Sequence, residues 1–365
     1  MEITVKTTKL QDAVGKAIKC SSNNKLIPIT SLMSIQTKGS MLVLTTTDAT
    51  NYFCVKLECS SNEDVEICVM AEFFNKLIQK TTTEDITLKI DGEKMEVKGN
   101  GKYIMELPLD ENGNTIKFPK KFDLDGFRDT GKKINVKDVK SVLAYNKTAL
   151  SQSMNMPALT YYHCGNTVVT SDRVKICSND VHLFDTDELI PATLMDLLGD
   201  LSGNEIEYVC KGDCRLFYAN NDNEIVYSTL TDPSIKFPIE AIGQILNSEF
   251  KSKCLVPRAA LLHALDRIAL FVSSYDKKGI YLTFTKDGIT FSSKKSSGVE
   301  VVPYIEVEDF EDFTCCIDIE MLTAQIRTHS CEDLQISFGS EVAIRVVNID
   351  SDVTQIVALT TDDRG

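Results

Sequence analysis

No apolar run in this 365-residue chain approaches the roughly 20 residues that a helical membrane span needs. The N-terminus, MEITVKTTKLQDAVGKAIKC, also lacks the basic, then apolar, then small-residue order of a secretory signal, so a cytoplasmic protein is expected. Only four histidines occur, His163, His182, His263 and His329, scattered without evident partners. There is no Gly-x-Ser-x-Gly elbow, no P-loop and no HExxH, so the sequence offers none of the usual catalytic devices. Zinc spacing is missing as well. Cys54 and Cys59, Cys210 and Cys214, and adjacent Cys315 and Cys316 fit no two-residue knuckle, and neither a metal nor a cofactor is expected. The acidic trio Asp185, Asp187 and Glu188 precedes a helical phrase, where carboxylates favour the positive helix end; it is read as capping and not as a magnesium site.

What is present is an ordinary globular composition, 43% hydrophobic and 25% charged, long enough for two or three cores. The twelve cysteines sit mostly in strand-like phrases such as CVKLEC and EICVM and read as reduced, buried thiols. A net charge of −14 argues at first against nucleic acid, whose phosphates are met by Lys and Arg. The placement of the basic residues decides more than the total.

The chain repeats itself. IKFP occurs at Ile116 to Pro119 and again at Ile235 to Pro238, and strand-like phrases precede both copies: IMELPLD from Ile104 and IVYSTLTD from Ile225. A third such phrase, IVALTTD, starts at Ile356. Upstream of each lies a pair of alternating apolar runs around a glycine (DITLKIDGEKMEVKG, EIEYVCKGDCRLFYA, DLQISFGSEVAIRVV), the pattern of a β-hairpin. Earlier still come a helical phrase, another hairpin and another helical phrase, in the same order each time. Three units of about 120 residues result, placed at 1–121, 132–246 and 252–365, with IKFP ending a unit, its Phe anchoring the last strand and its Pro stopping it. Polar stretches 120–133 and 247–253 read as linkers.

Two amphipathic helices per unit would bury their apolar faces on antiparallel sheets, an α+β architecture. The six helical segments together carry net positive charge in an otherwise strongly acidic chain. Solvated lysines on exposed helix faces account for part of this. The alternative is that all six helices face one polyanion: with helices about 9 Å apart, six in a circle leave roughly 7 Å clear, whereas twelve leave roughly 24 Å, wide enough for a nucleic-acid duplex. A head-to-tail dimer is the expected closed assembly.

At this point the sequence resembles the bacterial-type DNA sliding clamp, the beta subunit of the replicative polymerase, over nearly its whole length. The most specific pieces are VMAEFFNKLIQ, KLIPITSL with the later TTTD, VVTSDRVKICS and the two KFP ends. The resemblance implies a non-catalytic, ring-forming homodimer of three repeated clamp domains per chain. Such a ring encircles duplex DNA without sequence preference and tethers the replicative polymerase. It is served by a clamp loader and docks other proteins that carry a clamp-binding motif. Carried over residue by residue, Lys16, Lys25, Lys80, Lys140, Lys147 and Arg267 would face DNA. A partner-peptide pocket would be walled by Leu159, Thr170, Arg173, Val174, Pro238, Val357 and Leu359. The dimer would join Tyr103 and Met105 to Leu270 and Phe271.

The sequence also departs from that family. The fourth helix begins with Ala192 and Thr193 where a basic start is usual and carries Asp196 and Asp200; the turn TSDRVK lacks the usual Gly and is one residue short; VEVVPYIEVEDFED is less uniformly acidic than expected of an interface strand. These changes mark a diverged clamp, of a kind that a phage or mobile element would encode. The competing reading is a protein-interaction scaffold of clamp fold that never encircles DNA.

Overall fold

The structure is a computed structural model and describes residues 1–119, 132–272, 278–295 and 297–360. Most of the first expected linker, 120–133, lies outside them.

One order of elements runs through the chain three times. The first pass is β1 (Glu2–Lys6), α1 (Thr7–Ala17), β2 (Leu32–Lys38), β3 (Met41–Thr47), β4 (Asn51–Glu58), β5 (Ser60–Ser61), β6 (Glu66–Met70), α2 (Ala71–Gln79), β7 (Asp85–Asp91), β8 (Lys94–Lys98) and β9 (Lys102–Glu106). The second is β10 (Lys132–Asn135), α3 (Val136–Asn146), β11 (Tyr161–Cys164), β12 (Val168–Ser171), β13 (Lys175–Asn179), β14 (Glu188–Pro191), α4 (Ala192–Gly199), β15 (Glu205–Lys211), β16 (Cys214–Ala219) and β17 (Glu224–Thr229). After an extra helix, α5 (Ile239–Leu246), the third comprises β18 (Ser252–Pro257), α6 (Arg258–Ala269), β19 (Gly279–Thr285), β20 (Gly288–Ser293), β21 (Val299–Val302), β22 (Glu306–Glu308), β23 (Phe313–Asp318), α7 (Ile319–Thr328), β24 (Asp333–Phe338), β25 (Ala343–Val347) and β26 (Val353–Ala358). In the hairpin that follows the second helix of each pass the turn glycine has positive φ: Gly92 at 59°, Gly212 at 62° and Gly339 at 89°. A side chain there would be strained, which is why the three phrases share that residue.

Packing cuts the chain differently from its sequence period. Two compact units form, Met1–Val139 with Thr193–Leu230, and Lys140–Ala192 with Thr231–Gly365. The first holds a five-stranded sheet (β5-β1-β7-β8-β9) and an eight-stranded one (β10-β15-β16-β17-β4-β3-β2-β6). The second holds a nine-stranded sheet (β14-β11-β12-β13-β26-β25-β24-β18-β22) and a four-stranded one (β21-β20-β19-β23). Each large sheet is antiparallel and joins strands of successive repeats, β17 to β4 in one unit and β13 to β26 in the other.

In the first unit α1 and α2 lie together: Gln11 Nε2 donates to the Ile78 and Thr81 carbonyls at 3.0 and 2.9 Å, and Gln79 Nε2 donates back to the Gln11 carbonyl at 2.7 Å. The buried stripe Leu10, Ala13, Val14 and Ala17 on α1 sits at helical spacing and faces the core, as the sequence pattern required. The second unit has the same arrangement of α6 and α7 over a core containing the stacked Phe284 and Phe338 rings, 4.0 Å apart and 13° from parallel.

Both KFP segments were expected to close a strand, and neither does. Strands β9 and β17 end at Glu106 and Thr229, and the chain then runs as coil until the phenylalanine docks on the large sheet. Phe118 packs edge-on against Tyr52 at 6.3 Å, beside Cys54, Cys214 and Leu216. Phe237 packs on Leu159, Val169, Ile176 and Ile356. The repeat therefore preserves a hydrophobic plug. The second expected linker is also shorter than read, because β18 starts at Ser252.

No disulfide joins the cysteines among the described residues, and nine of them are buried. Burial pushes the thiols up, Cys54 to about 11 and Cys177 to about 12, so they behave as small apolar side chains.

A polar seam runs through the second unit beneath this apolar packing. Buried His329 bonds through Nε2 to Gln355 Oε1 at 2.9 Å, Gln355 Nε2 donates to Thr328 Oγ1 at 2.9 Å, and the Tyr145 ring lies 5.4 Å from the imidazole. Burial lowers the His329 pKa; the Gln355 bond opposes this, and Arg258 adds to the lowering. The folded protein thus prefers neutral His329, while the unfolded chain takes up a proton near the ordinary value of about 6.5. Stability from this group is complete above that pH and falls as the pH drops through the folded pKa. Melting curves from pH 7.5 to 5 should show the decline, and His329→Gln should flatten it.

Candidate functional site

In the second unit the nine-stranded sheet has two differently used faces, because side chains alternate along each strand. One face carries Val357, Ile344 and Val346 into the core under α6 and α7. The other carries Val169, Ile176, Ile356 and Ala343, with Leu159 from a 3-10 turn (Pro157–Thr160) beside them. Over this second face lies the segment from Phe237 to Leu246. Pro238 is the exposed N-cap of α5, Ile242 points inward, and Ile239 and Leu246 are half-buried. Arg345 anchors the far end: its Nη2 donates to the Leu246 carbonyl at 2.6 Å, and its guanidinium lies 4.4 Å from the Phe250 ring centroid. At the rim, Val342 is 55% exposed and Val174 36% exposed. These side chains form an apolar cluster packed beneath α5, with Val174 and Val342 exposed at its rim.

Four of the seven expected pocket residues gather here, Leu159, Arg173, Val174 and Pro238. The other three do not. Val357 is fully buried and Leu359 half-buried in the core on the opposite face, and Thr170 donates to the Asn146 carbonyl at 2.8 Å on that face. The error is one of register: along β26 a slip of one residue exchanges faces, so Ile356 and Ala358 take the places assigned to Val357 and Leu359. His163, read as an isolated histidine, lies on the same face of the sheet, paired with Val169 and Leu189 and stacked on Phe237 at 5.1 Å.

The shortened turn TSDRVK resolves its missing glycine in an unusual way. Arg173 itself takes φ of 83°. Asp172 braces it, accepting from the Val174 and Lys175 amides at 3.0 and 2.7 Å. The constraint leaves Arg173 and Val174 exposed at the rim.

The basic residues divide into two groups. Lys16 bonds to Asp12 at 2.8 Å, to Ser202 Oγ at 2.7 Å and to the buried Glu224 at 2.9 Å, so it is a structural cation and not a free one. Arg267 is clamped to Glu300, with Nε at 3.0 Å. Lys25, Lys80 and Lys140 are exposed and, among the described residues, have no carboxylate within ion-pair distance; Lys147 is exposed as well. Asp200 on α4, which weakened that helix as a DNA contact, is paired with Lys19. A signal in the sequence would have marked these regions: no Asp or Glu occurs between Asp12 and Asp48, or between Asp138 and Asp172, at equivalent places in the first two repeats. The trio Asp185, Asp187 and Glu188 does not cap a helix as read, since Glu188 opens β14 and the first turn of α4 holds no acid. Among the described residues no group of three or more potential ligands could hold a metal, and no helix is long and apolar enough to cross a membrane.

Among the edge strands of the four sheets, two expose apolar side chains near the elements expected at a subunit contact. β9 ends the five-stranded sheet with Tyr103 and Ile104 exposed, and β21 ends the four-stranded sheet with Val299 and Val301 exposed. Met105, expected to face outward, is instead 6% exposed and pairs with buried Met95. Leu270 and Phe271 are exposed as expected, 82% and 51%. A Cβ on Gly298 would come within 2.7 Å of the Phe271 ring, so glycine there lets the ring lie against the start of β21.

Pairs of helices on continuous antiparallel sheets, in one order of elements run three times, define a protein of the DNA clamp fold. The chain superposes on the Bacillus subtilis DNA polymerase sliding clamp over 99% of both chains, with a TM-score of 0.84 and 16% identity. The beta subunit of the Streptococcus pyogenes DNA polymerase matches over 99% of this chain and all of that one, at 0.84 and 17%. The Thermotoga maritima DNA polymerase III beta subunit matches over 99% of both, at 0.82 and 16%. A search of curated protein sequences gives no match. Residues 1–119 match the family described as DNA polymerase III beta subunit, N-terminal domain. The whole chain thus has the fold of the bacterial DNA polymerase III beta sliding clamps, and its residues 1–119 match the N-terminal domain family of those proteins.

Proposed function

We propose that two copies of this chain close head to tail into a ring around duplex DNA and tether a replicative polymerase, with a clamp loader opening the ring. The observation that carries this reading is the exposed apolar side chains on two edge strands: Ile104 on β9, and Val299 and Val301 on β21 with Phe271 beside them. Bare apolar edges invite pairing, and a closed ring removes both at once. Three domains at 1–121, 132–246 and 252–365 would each supply two helices to the lining. Lys25, Lys80, Lys140 and Lys147 would offset phosphate repulsion without fixing register, which permits sliding. Light scattering should give the mass of two chains, and the protein should stay on circular duplex yet run off when the circle is cut. A monomer at high concentration, or equal loss from both DNAs, would reject the ring in favour of the scaffold reading.

The apolar cluster beneath α5, open to solvent at Val174 and Val342, is the proposed docking site for partner peptides with Leu or Phe anchors. Val174→Asp places a charge on its rim without touching the core. Polymerase stimulation should fall about tenfold or more while the native mass stays that of the dimer; unchanged stimulation would remove the cluster from this role.

A further inference from the structure

Successive repeats meet along a polar seam in each compact unit, and the two seams differ in charge. In the first unit Lys16, Ser202 and Glu224 form it, with an ammonium held on a buried carboxylate. In the second unit Tyr145, His329 and Gln355 occupy the corresponding ground. Lys16 and Tyr145 are equivalent, since each precedes the residue whose carbonyl accepts a threonine hydroxyl, Ala17 from Thr46 and Asn146 from Thr170. Ser202 and His329 stand at the same distance beyond the starts of α4 and α7, Ala192 and Ile319. All four histidines of the chain belong to the second unit. We propose that this second seam is an acid-sensitive latch: protonation of His329 frees the end of α7 from α3 and β26, while the first unit, with an ion pair in that place, stays closed.

The directions of the hydrogen bonds fix the state of the imidazole. The Gln325 carbonyl can only accept, so Thr328 Oγ1 gives it its hydrogen at 2.7 Å and in turn accepts from Gln355 Nε2 at 2.9 Å. Gln355 Oε1 is thereby turned toward His329, whose Nε2 must donate to it at 2.9 Å. The neutral ring keeps its lone pair on Nδ1, which is buried without a hydrogen-bond partner in a residue only 1% exposed. A second proton would land there and create a buried, charged donor with no acceptor.

The neighbours do not offset that charge. Arg258 of α6 donates from Nε to the Ile326 carbonyl of α7 at 3.3 Å and adds charge of the same sign. Tyr145 of α3 presents a ring tilted by 47°, which favours a cation but supplies no acceptor for the new N–H. The Cys177 thiol of β13, 4.0 Å from Gln355 Nε2, is held neutral by burial. Lys147 after α3 and Arg327 on α7 are exposed cations, the latter paired with Asp266 at 2.7 Å. Relief comes from water reaching Nδ1, which requires the end of α7 to leave Tyr145 and Gln355. The first unit holds no histidine, the side chain whose ordinary pKa lies between pH 5 and 8, so the acid response is confined to one half of the chain.

Amide exchange of the full chain, read by mass spectrometry at about pH 7.5 and about pH 5.5 and corrected for the intrinsic rate at each pH, tests this. Protection of Ile319–Thr328 should fall severalfold at the lower pH. The ceiling is about tenfold, because that pH lies about one unit below the ordinary imidazole value of about 6.5. Helices α1 and α2 should keep their protection within about twofold, and in His329→Gln α7 should keep its own as well. Unchanged α7 in the wild type, an equal loss in His329→Gln, or a loss shared by the first unit overturns the latch. Should His329→Gln fail to fold, histidine NMR of the wild type decides: the His329 ring must titrate over the pH range in which α7 loses protection, and a mismatch rejects the proposal.

Discussion

Lys16→Met should lower the stability of the first unit by about 3 kcal/mol, the lower end of the range for removing one partner of a buried ion pair. Glu224 is 1% exposed, and its Oε1 accepts from Lys16 Nζ at 2.9 Å. The Ser202 amide, 2.7 Å from Oε2, and Asn220 Nδ2, 3.3 Å from Oε1, remain after the substitution, which keeps the loss from the upper end of that range. Burial by itself would lower the Lys16 pKa, yet hydrogen bonds to Asp12 and Glu224 outweigh it and the pKa is raised, so the ammonium is held charged. The pair joins α1 of the first repeat to β17 of the second, the strand that continues the eight-stranded sheet from β4. Thermal unfolding and amide exchange in α1 should both report the loss, and Lys16→Met with Glu224→Leu should recover most of it. Unchanged exchange in the single variant would mean that the pair contributes nothing. The same residue read from sequence alone looked like a DNA contact.

The second large effect concerns ring closure. Ile104 is 63% exposed on edge strand β9, so Ile104→Asp should leave the fold of the unit intact. In a head-to-tail ring the same edge is used at both closures, so the cost of desolvating the carboxylate enters twice. At about 3 kcal/mol per closure the dimer weakens roughly ten-thousandfold. Light scattering at micromolar concentration should then give a single chain, and retention on circular duplex should vanish. Phe271→Ala, which removes an exposed ring beside the other edge, should weaken the dimer less. A variant that keeps the double mass would show that β9 is not a closing edge, whatever the ring's fate on DNA.

Much of this protein is legible as text. The glycine hairpins, the helical apolar stripes and the two KFP segments recur at a fixed period, and each reflects a local requirement: positive φ at Gly92, Gly212 and Gly339, a buried stripe on α1, a phenylalanine that plugs a sheet face. Sites are harder to read, because they depend on which way a side chain points. Val357 and Ile356 are equally apolar neighbours, and only the pairing of β13 with β26 sends one into the core under α6 and α7 and the other into the cluster beneath α5. Lys16 lies in the last turn of α1 and Lys25 in the loop after it, and only the arrival of Glu224, 208 residues along the chain from Lys16, separates a structural cation from an exposed one.

By itself the sequence determined the threefold order of helices and strands, the reduced thiol core and the places where acids are missing. Tertiary structure decided that two packed units cut across three repeats, that α5 covers an apolar cluster on one sheet face, and which charges are already paired. The reason is physical: turn geometry and periodicity act between near neighbours, whereas sheet register and charge pairing are settled by residues that meet only after the chain has folded.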